Sequence, residues 1–96
     1  MRPSVRLSEN IGAVVNTVRR YNISNPRVFG SVARGDDADE SDIDLLIDPA
    51  PSTTLFDLGG LQEELQELLG CRVDLVTPAA LPRELRDRIL NEAKPL

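Results

Sequence analysis

The stretch from residue 30 to residue 44, Gly-Ser-Val-Ala-Arg-Gly-Asp-Asp-Ala-Asp-Glu-Ser-Asp-Ile-Asp, constrains this chain more than any other. It runs into an apolar segment, residues 43–48, that Pro49-Ala50-Pro51 closes. A short apolar run bounded by prolines reads as a strand. Side chains in a strand alternate faces, so Asp42 and Asp44 point one way while Ile43, Leu45 and Ile47 point the other way, into a core. Any fold must therefore bury one face of this strand and leave two carboxylates together at its mouth. Ten residues separate Ser31 from Asp42. The Gly30-Ser31 pair itself follows a shorter apolar strand, Arg27-Val28-Phe29.

The remaining elements fall around these two strands. Leu7, Ile11, Val14, Val18 and Tyr21 recur at helical spacing, and Ser8 is placed to cap them, which predicts a first helix over 8–21. Asn22 to Pro26 carries turn punctuation. Residues 31–34 make one helical turn, and the acidic segment 35–41 is expected as a solvated loop. Leu55, Leu58, Leu61, Leu65 and Leu68 predict a helix over 55–69, with Gly59-Gly60 weakening its first turn and Gly70 as its C-cap. Residues 72–76 form a third strand. A last helix follows Pro78 to Pro82, with Leu85, Ile89 and Ala93 inward. The strand–helix–strand unit over 43–76 predicts a parallel, right-handed crossover. The short link before it predicts an antiparallel first pair. The expected architecture is α/β (α+β): a small mixed sheet of about three strands with helices packed on it.

Composition sharpens the chemistry. Ninety-six residues set the expectation of a single domain, 1–96. No run approaches the ~18 apolar residues of a spanning helix, and the N-terminus lacks a signal-peptide core, so a cytoplasmic location and no membrane contact are expected. The net charge of −5 lacks the basic footprint of a nucleic-acid binder, so nucleic acid is not expected as a direct partner. Histidine is absent, which removes imidazole acid–base chemistry and most zinc sites. The single cysteine, Cys71, has no disulfide partner and reads as a small apolar residue. Catalysis in such a chain must run on carboxylates and metal.

The carboxylates are suited to that. Asp42 and Asp44 repel each other, and a divalent cation removes the repulsion. Mg²⁺ takes one or two carboxylates, several waters and substrate phosphates. Asp74 starts the next strand of the crossover, and in a parallel pair both strand starts lie at one sheet edge. Asp42, Asp44 and Asp74 could then hold two metals, the arrangement of in-line phosphoryl chemistry. Gly30 lacks a Cβ, so backbone amides there can approach phosphate oxygens, and Ser31 adds a hydroxyl donor. A helical turn beginning there would favour anions. Arg34 is placed either to contact a triphosphate or to brace the acidic loop. Ser41 is placed either to cap that loop or to hydrogen-bond Asp42.

On these residues the chain resembles the nucleotidyltransferase superfamily that includes DNA polymerase beta. Within it, the chain looks like the minimal nucleotidyltransferases, small proteins paired with HEPN-domain toxins. Gly30, Ser31, Arg34, Gly35, Ser41, Asp42, Asp44, Leu45 and Leu46 stand where that family's motif places them, and Val73-Asp74-Leu75-Val76 matches its third-carboxylate strand. The resemblance spans roughly residues 8–90. It implies catalytic and metal-binding roles for Asp42, Asp44 and Asp74, with Asp74 completing a second Mg²⁺ site and helping to accept a hydroxyl proton. It implies nucleotide contacts for Gly30, Ser31, Arg34 and Ser41, and transfer of AMP from ATP to a tyrosine hydroxyl of a HEPN RNase toxin, neutralising it. Masking of a toxin without chemistry, or transfer to tRNA or to a small molecule such as an aminoglycoside, are the alternatives.

Blander readings apply to other residues. A calcium-loop alignment starting at Asp37 fails, because Asp42 falls where glycine is required and Asp48 where glutamate is. Asp36, Asp37, Asp39 and Glu40 read as a solvated face, and Asp48 as strand-end surface. The leucine stripe reads as core, with an excess that could extend into a partner surface. Arg83, Arg86 and Arg88 read as solvated.

Overall fold

A computed structural model describes residues 1–96. Strand β2 (Ile43–Pro49) is the spine of its sheet. It pairs antiparallel with β1 (Ile23–Phe29) on one side and parallel with β3 (Val73–Val76) on the other. A two-residue strand β4 (Lys94–Pro95) adds antiparallel to the outer edge of β1, giving the order β3-β2-β1-β4. The helices are α1 (Pro3–Ser8), α2 (Ile11–Arg20), α3 (Gly30–Arg34), α4 (Leu55–Leu69) and α5 (Arg83–Glu92), with a 3-10 turn at Pro78–Ala80. The expected mixed sheet, its two pairing directions and the β2-α4-β3 crossover are all present. None of these helices is long and apolar enough to cross a membrane.

The alternation of β2 divides the core. Ile43, Leu45 and Ile47 are fully buried against Val14 and Val18 of α2 and Leu61 and Leu65 of α4. At ~25 cal/mol per Å² of apolar area removed from water, this larger cluster is the main source of stability. Leu46 faces the other way and is equally buried, in a smaller cluster with Phe29 and Leu81 that Val76, Ile89 and Ala93 flank. Asp44 and Asp74 share this second face, because Asp44 is in register with both Phe29 and Asp74. The carboxylates thus lie on the side of the sheet that α5 covers only in part.

Helix α4 matches the expected bounds because both ends are encoded locally. Thr54 accepts from the Asp57 amide at 3.1 Å while Asp57 accepts from the Thr54 amide at 2.9 Å, a capping box. Gly70 takes the left-handed φ of 69° that ends the helix. Its buried stripe is Leu61, Leu65 and Leu69, whereas Leu55 and Phe56 stand out in solvent at 84% and 92% exposure. Gly60 faces the Tyr21 ring, 3.3 Å from where a methyl group would sit.

Several expectations are corrected. The helix expected over 8–21 is α2, which starts only at Ile11; a separate helix, α1, precedes it with Pro3 at its first position and ends at Ser8. Ser8 ends α1, donating to the Val5 carbonyl at 2.9 Å, and caps nothing after it. Ile11 is exposed. Strand β1 begins at Ile23, since Asn22 and Asn25 absorb left-handed φ values of 57° and 55° and a register shift between Ser24 and Arg27 accommodates Pro26. The sheet has four strands instead of about three, the fourth being too short for any sequence pattern. Leu85 is exposed, and α5 contains no fully buried residue. Arg86 is not solvated: it donates to the Pro78 and Leu81 carbonyls at 3.1 and 3.3 Å.

Candidate active site

Strand β2 delivers Asp44 and strand β3 delivers Asp74 at the same level of the sheet, paired in parallel register. The two residues are direct cross-strand partners, which sets their carboxyl groups side by side on one face of the sheet. Burial, followed by the neighbouring charges of Asp74 and Asp42, pushes the Asp44 carboxyl up from 3.8 to about 6; Arg34 offsets only part of this. Asp42 precedes β2 on the same face, with its Oδ1 3.9 Å from Arg72 Nε. Arg72 is 80% exposed, so the pair contributes little. The chain itself therefore leaves negative charge uncompensated at this edge. No three acidic or cysteine side chains are closed around a common point as metal ligands. Asp44 and Asp74 meet, and Asp42 stands beside them toward Arg72.

Gly30 lies against this edge. Strand β1 ends extended at Phe29, and Gly30 turns the chain into α3 with φ 75°. A methyl group at this position would sit 3.4 Å from Asp44 Cγ and in collision with its Oδ2. The glycine is thus demanded twice, by its left-handed backbone and by the carboxylate at its back. Ser31 follows, half-buried, and Val32 and Ala33 anchor the turn in the main core.

Arg34 and Ser41 both have partners within the chain. Arg34 points along the turn to Glu92 at the end of α5, with Nη1 2.7 Å from Glu92 Oε1, and makes a longer contact of 3.4 Å with Asp36. Ser41 caps the acidic loop, its Oγ accepting from the Ala38 amide at 2.9 Å. Asp37 departs from the solvated face. Its side chain is fully buried, accepting from Arg2 at 2.8 Å and from the Ser4 amide at 2.9 Å. Burial pushes its carboxyl up, but these donors outweigh it and hold it at about 2. Asp48 pairs with Arg27 at 2.9 Å and Asn25 at 3.0 Å.

Sequence reasoning missed Glu92. It accepts from the Gly30 amide at 3.0 Å as well as from Arg34. The Gly30 amide and Arg34 hold its carboxyl below the usual range. No local signal marks it, since it lies some sixty residues from its partners. A cleft of about 220 Å³ opens between the Gly30–Arg34 turn and the Leu85, Arg88, Ile89 and Glu92 face of α5. The larger cleft, about 320 Å³, lies between α2, β1 and the C-terminus, and no acidic side chain lines it.

Known proteins are similar to this chain in sequence and in fold. The family model for the nucleotidyltransferase domain matches residues 13–96. A candidate protein adenylyltransferase of Methanocaldococcus jannaschii is 38% identical over 80 residues, which cover 83% of this chain and 86% of the relative. The solved structure of a candidate minimal nucleotidyltransferase superposes with a TM-score of 0.88 at 41% identity, covering 100% of this chain and 97% of the other. The crystal structure of a toxin–antitoxin with AMP-PNP shares the fold at 23% identity, with a TM-score of 0.77 over 90% of this chain and 71% of that one. With a matched family model over most of its length, and relatives of this similarity, the chain belongs to the nucleotidyltransferase domain family, among its minimal members of protein adenylyltransferase type.

Proposed function

We propose that the chain, acting as one domain over residues 1–96, transfers AMP from ATP to a tyrosine hydroxyl of a HEPN-type toxin and thereby acts as its antitoxin in the cytoplasm. The observation that carries this is the pairing of Asp44 with Asp74 on adjacent parallel strands, with Asp44 directly behind the Gly30 turn. Relatives named as protein adenylyltransferases, and the shared fold of a toxin–antitoxin bound to AMP-PNP, support the nucleotide and the partner class.

The residues fit Mg²⁺. All candidate donors are hard carboxylate oxygens, two of them on directly paired residues, and their repulsion has no adequate cation from the chain. Asp44 and Asp74 would hold it from the paired strands, and Asp42, which stands beside them toward Arg72, would have to turn in to become the third ligand. When bound, Mg²⁺ neutralises charge on the triphosphate and lowers the pKa of the attacking hydroxyl. Gly30, Ser31 and Arg34 orient the phosphates, and Ser41 fixes the loop that leads into Asp42. The hydroxyl oxygen forms a bond to the α-phosphorus, the bond from that phosphorus to the β-phosphate bridging oxygen breaks, and pyrophosphate leaves. Asp74 accepts the hydroxyl proton.

Incubation with ATP labelled at the α-phosphate, Mg²⁺ and a HEPN-type partner tests this. Label should pass to the partner and be lost in the Asp42→Asn, Asp44→Asn double variant; transfer that survives the double variant rejects the assigned site. A second reading, masking without chemistry, draws on the exposed apolar pair Leu55 and Phe56. Under it the double variant still neutralises the toxin fully.

A further inference from the structure

Glu92 closes α5 with its carboxylate laid across the glycine turn. One oxygen takes the Gly30 amide at 3.0 Å and the other takes Arg34 Nη1 at 2.7 Å. These are the donors assigned to the nucleotide's phosphates, so an anion from the chain already occupies the place that an incoming anion requires. A carboxylate bridging a backbone amide and a guanidinium uses the same charge-assisted contacts as a phosphate oxygen pair.

The element carrying Glu92 is lightly held. Helix α5 has no fully buried residue: Arg86 ties its first half to the Pro78 and Leu81 carbonyls, and its last turn reaches the smaller core cluster through Ile89 and the following Ala93. The chain beyond it contributes only the Lys94–Pro95 pairing, the Lys94 contact with the Ala33 carbonyl at 2.8 Å and the Leu96 contacts. The Glu92 side chain is 27% exposed, so solutes can reach it. Arg88, one turn earlier on α5, lines the adjoining cleft of about 220 Å³. Residues four apart on a helix are neighbours, so Arg88 offers Glu92 a cation when it leaves the turn.

We infer that Glu92 is an internal competitor for the nucleotide: its carboxylate closes the Gly30–Arg34 seat and must swing toward Arg88 before a triphosphate can enter. This rests on the proposed assignment of Gly30 and Arg34 to phosphate binding. The latch lowers apparent nucleotide affinity by the fraction of molecules in which the seat is open. It also excludes weakly held anions, because only a ligand with enough phosphate charge displaces a carboxylate already bridging both donors.

Calorimetric titration of the full chain with Mg²⁺-ATP, and separately with Mg²⁺-tripolyphosphate, tests the latch. Glu92→Gln keeps the shape and removes the charge. Both ligands should bind it about three- to tenfold more tightly than wild type, as expected when a competing closed state is removed. An equal gain for tripolyphosphate, which has neither base nor ribose, locates the effect at the phosphate seat. Unchanged or weaker binding by the variant, with wild type binding normally, overturns the latch alone and makes Glu92 a positioning residue for Arg34. Failure of wild type and variant to bind either ligand overturns both the latch and the assigned phosphate seat. Wild-type protein gives an independent readout that does not depend on the variant folding. The ¹³C resonance of the Glu92 side-chain carboxyl should move when tripolyphosphate saturates the chain, and a resonance that stays put overturns the latch.

Discussion

Asp44 sits where stability and function oppose each other. Its carboxyl is held at about 6 instead of 3.8, first by burial and then by its acidic neighbours. A carboxyl with a raised folded-state pKa binds its proton more tightly in the folded chain than in the unfolded one. Its contribution to stability is full below pH 3.8 and is lost as pH rises through about 6. Urea denaturation in EDTA should therefore show wild type losing stability across that window. Asp44→Asn should abolish that part of the slope and be more stable at pH 7.5 by about 1 kcal/mol, a figure discounted for the partly exposed carboxyl. The same substitution should remove nucleotidyl transfer. Gly30→Ala makes the converse case. It forces a Cβ into a left-handed backbone and against Asp44, and should cost about 1–2 kcal/mol in denaturation together with most of the activity. The Asp-x-Asp pair and the Gly-Ser turn were legible as residues because their spacing and the strand they enter are local. Glu92, and the burial of Asp37 by Arg2 and Ser4, were not, because each depends on partners more than thirty residues away.

Among the elements, those with their own punctuation were read correctly. Helix α4 has its capping box and Gly70, and β2 has alternating apolar residues and a proline stop. Where the punctuation was ambiguous, tertiary pairing decided. Asn22 and Asn25 look like a turn in sequence, yet β2 recruits Ile23 and Ser24 into the sheet and leaves the asparagines to take the left-handed angles. The break between α1 and α2 was hidden because the apolar stripe runs through it. These distinctions carry energies. Thr54→Ala should destabilise by about 1 kcal/mol through loss of the cap, measured by chemical denaturation. Leu65→Ala, at the centre of the main core, should cost about 3 kcal/mol. Equal losses from both would mean that α4 is held by its ends and not by its buried face.

Across the whole molecule, the sheet gathers negative charge on one edge and closes its other face with leucine and valine. The topology achieves this through one parallel pairing: β3 returns beside β2 in register, which sets Asp74 next to Asp44. Had the crossover returned one residue out of register, Asp74 would face the core and no site would exist. An edge built in this way should be completed by a divalent cation. Thermal unfolding at pH 7.5 should rise on adding Mg²⁺, and rise less at pH 5, where the Asp44 proton already relieves the repulsion. The most direct test of the carboxylate edge as the transfer site is label transfer from α-labelled ATP to a HEPN-type partner, compared between wild type and Asp44→Asn at equal folded concentration. The expected result is transfer by wild type that needs Mg²⁺ and falls by at least about 100-fold in the variant, a loss of some 2.7 kcal/mol of transition-state stabilisation. Transfer by Asp44→Asn at the wild-type rate would contradict it.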